Sequence, residues 1–321
     1  MATIYGDAYV VLAASQAKDA SGGLLDPIDN YSREATNVVE IRNMNGTISR
    51  IYARVAAKDT INVADSNFLN RVRHHVRKTP LAKRAWTLQE ALLAKRSIYF
   101  TSNELLWECA GSRRCECMRS ELDKDGDNLY SGVVSRAIKY RHSWDIYRMW
   151  WDILKDFYVR DITYESDRLP ALSGLAKYFQ SLGAGEYLAG FWREDLLHSL
   201  LWSRPHHVVL KRAEPLMGPT WSFFSFVPIR KESISSAIRD APMEMNREHS
   251  TSLRVPRARV IDVKCTLFGK DPTGQVRTCA ITLSGKMALV DKNEYRGGWP
   301  SICPILDIEV DHDEERYYFL I

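Results

Sequence analysis

The stretch Thr79-Pro-Leu-Ala-Lys-Arg84-Ala-Trp-Thr-Leu-Gln-Glu90-Ala-Leu-Leu-Ala-Lys-Arg96 decides how this chain is read. Thr79 fits a helix N-cap and Pro80 fits N1, while Lys95 and Arg96 suit the negative end of the helix dipole. Leu81, Ala85, Leu88 and Leu92 fall at i, i+4, i+7 and i+11, one apolar stripe on one helix. Two short strands follow, Ser97–Thr101 and Leu105–Cys109, separated by the turn-forming Ser102-Asn-Glu104. Upstream, Ala8-Tyr-Val-Val-Leu-Ala-Ala14 reads as a fully buried strand, bounded by Gly6-Asp7 and Ser15-Gln16. The order strand, loop, helix, strand, strand predicts an α/β arrangement. Residues 36–55 alternate apolar and polar and predict a hairpin, and Asp26-Pro27 lies in a turn-rich loop.

Composition narrows the setting. The 321 residues carry 44 Lys+Arg against 40 Asp+Glu, with 45% hydrophobic and 26% charged residues, which excludes collagen-like, wholly disordered and disulfide-scaffold classes. A net charge of +4 does not call for nucleic acid. No apolar run reaches the roughly 18 residues of a membrane span, and the early apolar stretch Ala8–Ala14 lacks the basic n-region and flanks expected of a signal peptide. Six cysteines over this length are too sparse for a secreted disulfide framework, so a cytoplasmic address is expected.

Beyond residue 118 the pattern changes. Tyr140, Trp144, Tyr147, Trp151, Leu154 and Tyr158 keep helical spacing, as do Leu172, Leu175 and Phe179, and Phe191 to Trp202 is a further helix candidate. Gly218-Pro-Thr-Trp-Ser222 opens a β-rich stretch, in which Arg257–Phe268 and Val276–Met287 are strands joined by the turn Gly269–Gly274. Residues 230–256 read as a long loop. Three regions are therefore expected: 1–118 as an α/β domain, 119–215 as a helical middle and 216–321 as a β-rich end.

Arg84-Ala-Trp-Thr-Leu-Gln-Glu90 resembles the HET (heterokaryon incompatibility) domain of filamentous fungi. So do Met1-x-x-Ile-Tyr5-x-x-Ala8-Tyr9, Ala13-Ala14-Ser15, Gly22-Gly-Leu24, Tyr99-Phe100 and Leu106-Trp107-Glu108-Cys109. Thr163–Leu175, Tyr187–Leu196 and Pro219-Thr-Trp-Ser222 are similar to stretches that follow the domain in many members. The family's opening Ser-Tyr-x-Trp-Gly and Trp-Ile-Asp-x-Leu-Cys-Ile strands are not found. The resemblance therefore implies a partial HET domain lacking its first two strands. It also implies fungal non-self recognition and cell-death signalling, through assembly with like domains or with a second copy.

HET domains are similar in fold to TIR domains, some of which cleave NAD at the nicotinamide–ribose bond. That resemblance implies Glu90 as a catalytic carboxylate with Trp86 shaping its surroundings, in the spacing Trp86-x-x-x-Glu90. Nicotinamide leaves as a neutral base, so one carboxylate that binds a ribose hydroxyl and faces an oxocarbenium-like transition state suffices. NAD would be substrate; no cofactor is required. By spacing alone Glu90 is an exposed helix glutamate near a basic residue, lying opposite the apolar stripe. A third alternative is a non-functional fragment with a sticky strand edge.

Other landmarks read as packing or solvated surface. Residues 71–96 hold eight Lys/Arg against one acid, with His74 and His75, but no aromatic residue interleaves before Trp86, so a basic face is expected rather than nucleic-acid binding. Cys109, Cys115 and Cys117 lack the pair spacing and fourth ligand of a zinc site, and read as thiols. His206-His207 has no metal-like partner. Trp144, Trp150 and Trp151 read as core, and Asp307–Arg316 as an acidic strand end.

Overall fold

A computed structural model describes residues 2–24, 36–54, 79–101, 105–109, 112–115, 143–158, 160–200, 202–203, 210–213, 218–228, 244–245, 259–284, 287–290 and 317–320. Asp26-Pro27, residues 71–78, Cys117, His206-His207 and Asp307–Arg316 lie outside them, as does most of 230–256 and the side chain of Trp144. The content is mixed α/β, with small sheets and few helices among the described residues. The chain divides into two units, Met1–Lys139 and Tyr140–Ile321.

In the first unit, helix α1 (Ala2–Asp7) leads into strand β1 (Val11–Ala13). β1 runs parallel to β4 (Arg96–Phe100), with Val11 opposite Ser97 and Ala13 opposite Tyr99. β4 pairs antiparallel with β5 (Leu105–Cys109), and β5 with β6 (Ser112–Cys115), giving the order β1-β4-β5-β6. The two strands expected around Ser97 and Leu105 are thus present, and alternate buried and half-buried side chains. β6 was not expected; Cys115 belongs to it, opposite Leu106.

The strand expected over Ala8–Ala14 is shorter and less buried. Leu12 is 51% exposed and Tyr9 79%. Among the described residues β1 is an edge strand, and it packs only the face carrying the small Ala13. The expected hairpin is present as β2 (Thr36–Arg42) and β3 (Ile48–Arg54), in register from Thr36–Arg54 to Arg42–Ile48. Its turn uses Gly46 at φ 81° and the Asn43 amide, which donates to the hydroxyls of Thr47 and Ser49.

The second unit is built on α3 (Ser143–Tyr158) and α4 (Pro170–Ser181), the helices implied by the aromatic and leucine spacing. Pro170 opens α4 where a missing N–H costs nothing. Phe191–Trp202 is not one helix. Phe191 and Trp192 form β8, paired with β7 (Tyr187–Leu188), and only α5 (Leu196–Ser199) is α-helical. The β7–β8 turn has φ 47° at Ala189 and 102° at Gly190, both positive, as a tight two-residue hairpin demands. Trp202 and Ser203 form β9, which pairs with β12 (Glu244–Met245).

Trp150 and Trp151 are core residues, as expected. Trp150 lies 5.2 Å from both Phe179 and Trp192, and its indole N–H donates to the Gly190 carbonyl at 2.8 Å. Trp151 stacks on Phe191 and Phe223. The Pro219-Thr-Trp-Ser222 motif closes this core: the Ser222 hydroxyl donates to Ala189 O and the Trp202 indole to Trp221 O.

β10 (Leu210–Arg212) pairs with β11 (Phe226–Pro228). The expected C-terminal hairpin is β13 (Arg259–Leu267) with β14 (Val276–Ser284). β15 (Met287–Val290) pairs with β16 (Tyr317–Leu320). Among the described residues, no helix is long and apolar enough to cross a membrane.

Candidate functional site

The decisive stretch does not form one continuous helix. Leu81–Lys83 is a 3₁₀ turn, Arg84 is extended (φ −80°, ψ 132°), and the α-helix α2 begins afresh at Trp86 and runs to Leu93. The Thr87 hydroxyl lies 2.8 Å from the carbonyls of both Leu81 and Arg84, so its one hydrogen is shared between two backbone acceptors at the break. Leu81 O also accepts from the Arg84 N–H. The Leu81 N–H donates to Ser15 O, placing this turn at the carboxyl end of β1. In α/β folds that end of a strand is where ligand sites gather.

Restarting the helix at Trp86 sets the faces. Thr87, Leu88, Gln89, Leu92 and Leu93 are buried, while Trp86 and Glu90 are half-buried. Glu90 was expected on an open face opposite the stripe. α1 packs against α2 instead, and brings the Tyr5 phenol into electrostatic range of the Glu90 carboxylate.

Burial raises the pKa of Glu90 above its ordinary 4.5, against the opposing pull of the Tyr5 hydroxyl and the Arg84 charge. Burial also raises the pKa of Tyr5, and the neighbouring Glu90 charge adds to it. The outcome is a protonated phenol near a partly desolvated carboxylate, with a guanidinium in range. Such a group can accept a hydroxyl hydrogen bond or face a developing cation.

Two buried polar groups of the first unit escaped the sequence reading. The Gln89 side chain is 1% exposed, and neither its oxygen nor its nitrogen meets a partner among the described residues. Gln89 sat inside the quoted motif, but helical periodicity gives no reason for a polar residue to turn inward. Glu108 is equally buried and accepts from the Tyr99 hydroxyl at 3.0 Å, with Ser97 opposite it in register. Its signal was positional: on β5 it shares a face with Leu106. Cys109 carries a thiol at the end of β5. Among the described residues no cluster of three or more His, Cys, Asp or Glu is placed to hold a metal ion.

Residues 1–90 match the family model of the heterokaryon incompatibility protein (HET). No curated protein and no solved structure matches the chain. The HET match takes in both Tyr5 and Glu90, so the two side chains lie near its two ends. Strands β4 to β6 and the whole second unit lie beyond the matched residues.

Proposed function

We propose that the chain acts in fungal heterokaryon incompatibility as a cytoplasmic non-self recognition protein, signalling cell death through association of its HET segment with a second copy or a like domain. The observation that carries this reading is the HET match over residues 1–90. The exposed apolar side chains Ile4 on α1, Tyr9 in the link after it and Leu12 on the edge strand β1, at 67%, 79% and 51%, support association. The test is expression in a fungal host, comparing the native chain with the double variant Tyr9→Lys/Leu12→Lys. Growth arrest by the native chain, and its loss in a variant that keeps its circular dichroism, is expected. Equal toxicity of the two would overturn association through β1.

A second reading is NAD cleavage by Glu90, favoured by the half-buried carboxylate beside Tyr5 and Arg84. Glu90 would accept a ribose hydroxyl and face the oxocarbenium-like transition state while neutral nicotinamide departs, and Trp86 would wall the approach. Only the ionised carboxylate can do this. Activity would therefore rise with pH along a limb displaced above the 4.5 of an ordinary glutamate. Nicotinamide release from NAD by the native chain, abolished in Glu90→Gln, is the expected result. Release that survives the substitution would end this reading.

A further inference from the structure

The β13–β14 hairpin joins Cys265 to Cys279, which face each other in register with a sequence separation of 14. Their opposition depends on an irregularity in the ladder. Next to the turn Leu267 faces Val276, and at the far end Val260 faces Leu283. Regular pairing from either end would set Cys265 across from Thr278. The extra residue Arg277 shifts the middle of the ladder by one, so that Thr266 meets Thr278 and Cys265 meets Cys279. A matching irregularity at Ile261 restores the outer register.

The burial pattern of β14 follows the shifted register. Val276 and Cys279 are both buried, at 4% and 9%, although three positions apart; regular strand alternation would turn one of them outward. The Arg277 guanidinium lies 4.9 Å above the Phe268 ring, which occupies the displaced side chain. The ladder register, not the loop ends, thus sets the two sulfur-bearing positions opposite each other, with Cα atoms 3.9 Å apart.

We propose that Cys265 and Cys279 are a reversible thiol–disulfide couple that exchanges with low-molecular-weight disulfides of the glutathione class. Cys265 is the partly exposed member, so its thiolate attacks one sulfur of the oxidised partner and expels the first small thiolate. The Cys279 sulfur then attacks that of Cys265 and expels the second. The protein dithiol loses two electrons and two protons; the small disulfide gains them and leaves as two thiols.

The bond is placed to tighten the hairpin on its own unit. The Trp221 indole donates to Cys279 O at 3.0 Å, and Trp221 stacks on Phe191. At the hairpin tip, Thr273 donates its hydroxyl to Ser173 O, and Lys177 pairs with Asp271 at 2.9 Å. Closing the ring restricts the strands between these two anchorages.

The test equilibrates the full chain in graded mixtures of reduced and oxidised glutathione, then traps thiols by alkylation and maps the peptides. The Cys265–Cys279 bond is expected to form and break reversibly across the series. Amide exchange in residues 259–284 should slow by roughly tenfold on closure. A pair that stays reduced in oxidised glutathione, or stays bonded in excess reduced glutathione, would overturn the proposal. So would a stable mixed disulfide on Cys265 beside an alkylatable Cys279, and closure that leaves amide exchange unchanged would refute the tightening. Deleting Arg277 should leave Cys265 glutathionylated and unclosed; closure as efficient as in the native chain would refute the geometric basis. The native titration decides the matter even if that variant fails to fold.

Discussion

The Tyr5 phenol lies in electrostatic range of the Glu90 carboxylate, bringing the first turn of the chain to the last residue of the HET match. Two motifs distant in sequence, one around Ile4-Tyr5 and one around Trp86–Glu90, are thereby neighbours through packed helices. The approach of the phenol gives Glu90 a structural setting, where α1 packs on α2, whatever chemistry it also performs.

Tyr5→Phe tests that setting directly. It leaves the ring to pack and removes only the phenolic hydroxyl that favours the charged form of the partly desolvated carboxylate. The expected cost is about 1 kcal/mol, kept small because water still reaches Glu90. The Glu90 pKa should rise further, since the hydroxyl opposes the effect of burial. Carboxyl-carbon NMR titration of native and variant chains reads this shift; an unchanged value would mean that the two side chains do not meet.

Stability of the first unit should carry a Glu90 signature in acid. The folded pKa is raised above 4.5, so the folded form holds the proton more tightly than the unfolded form. The stabilising contribution is complete below 4.5 and is lost as pH climbs through the raised folded value. Denaturant titrations across that window should show stability falling with pH from this group. Glu90→Gln should flatten that component of the slope. A variant with the native pH dependence would remove Glu90 as its source.

Much of this architecture was legible in local chemistry. The alternation over residues 36–55 announced the β2–β3 hairpin, and the short apolar runs around Ser97 and Leu105 announced β4 and β5. The helix around Glu90 was only half legible. Its apolar stripe was real, but the stripe crosses a break at Arg84 that is stabilised by the Thr87 hydroxyl, a tertiary-scale satisfaction no periodicity encodes. The surroundings of Glu90 were not legible, because α1 covers a face that spacing alone left open. Phe191–Trp202 misled for a related reason. Leucine-rich spacing resembles a helix, yet Gly190 with its positive φ bends the chain into a hairpin just before it.

Gly190 also marks where the second unit tolerates least change. A Cβ there would stand 2.2 Å from a Phe224 ring carbon, and the backbone φ of 102° disfavours any L side chain. Gly190→Ala should therefore cost about 2–4 kcal/mol, combining overpacking with backbone strain. Phe224 cannot retreat easily, being wholly buried between Phe157 and Phe223. Thermal unfolding and near-ultraviolet circular dichroism would register the loss through the Trp150 environment, whose indole bonds Gly190 O. A change within about 0.5 kcal/mol, the usual range for a neutral surface substitution, would contradict this packing.

At the alkaline end, Tyr158 should dominate. It is buried against Phe223, donates to Phe226 O at 3.3 Å and lies under the Arg168 guanidinium at 5.2 Å. Burial pushes its pKa from 10.0 up to about 12, the nearby Arg168 charge pulling the other way. A raised folded value means that the stabilisation is complete below 10.0 and vanishes as pH rises through about 12. The linked change is about 3 kcal/mol over that interval. Tyr147, Tyr178 and Tyr187 are also shifted upward by burial, so native unfolding curves alone do not isolate one phenol. The difference between native and Tyr158→Phe chains does. The variant should lose about 1 kcal/mol at neutral pH with the hydrogen bond, yet resist alkali better than the native chain. Parallel alkaline limbs for the two proteins would mean that Tyr158 reaches water before the unit opens, and that burial is not what holds its proton.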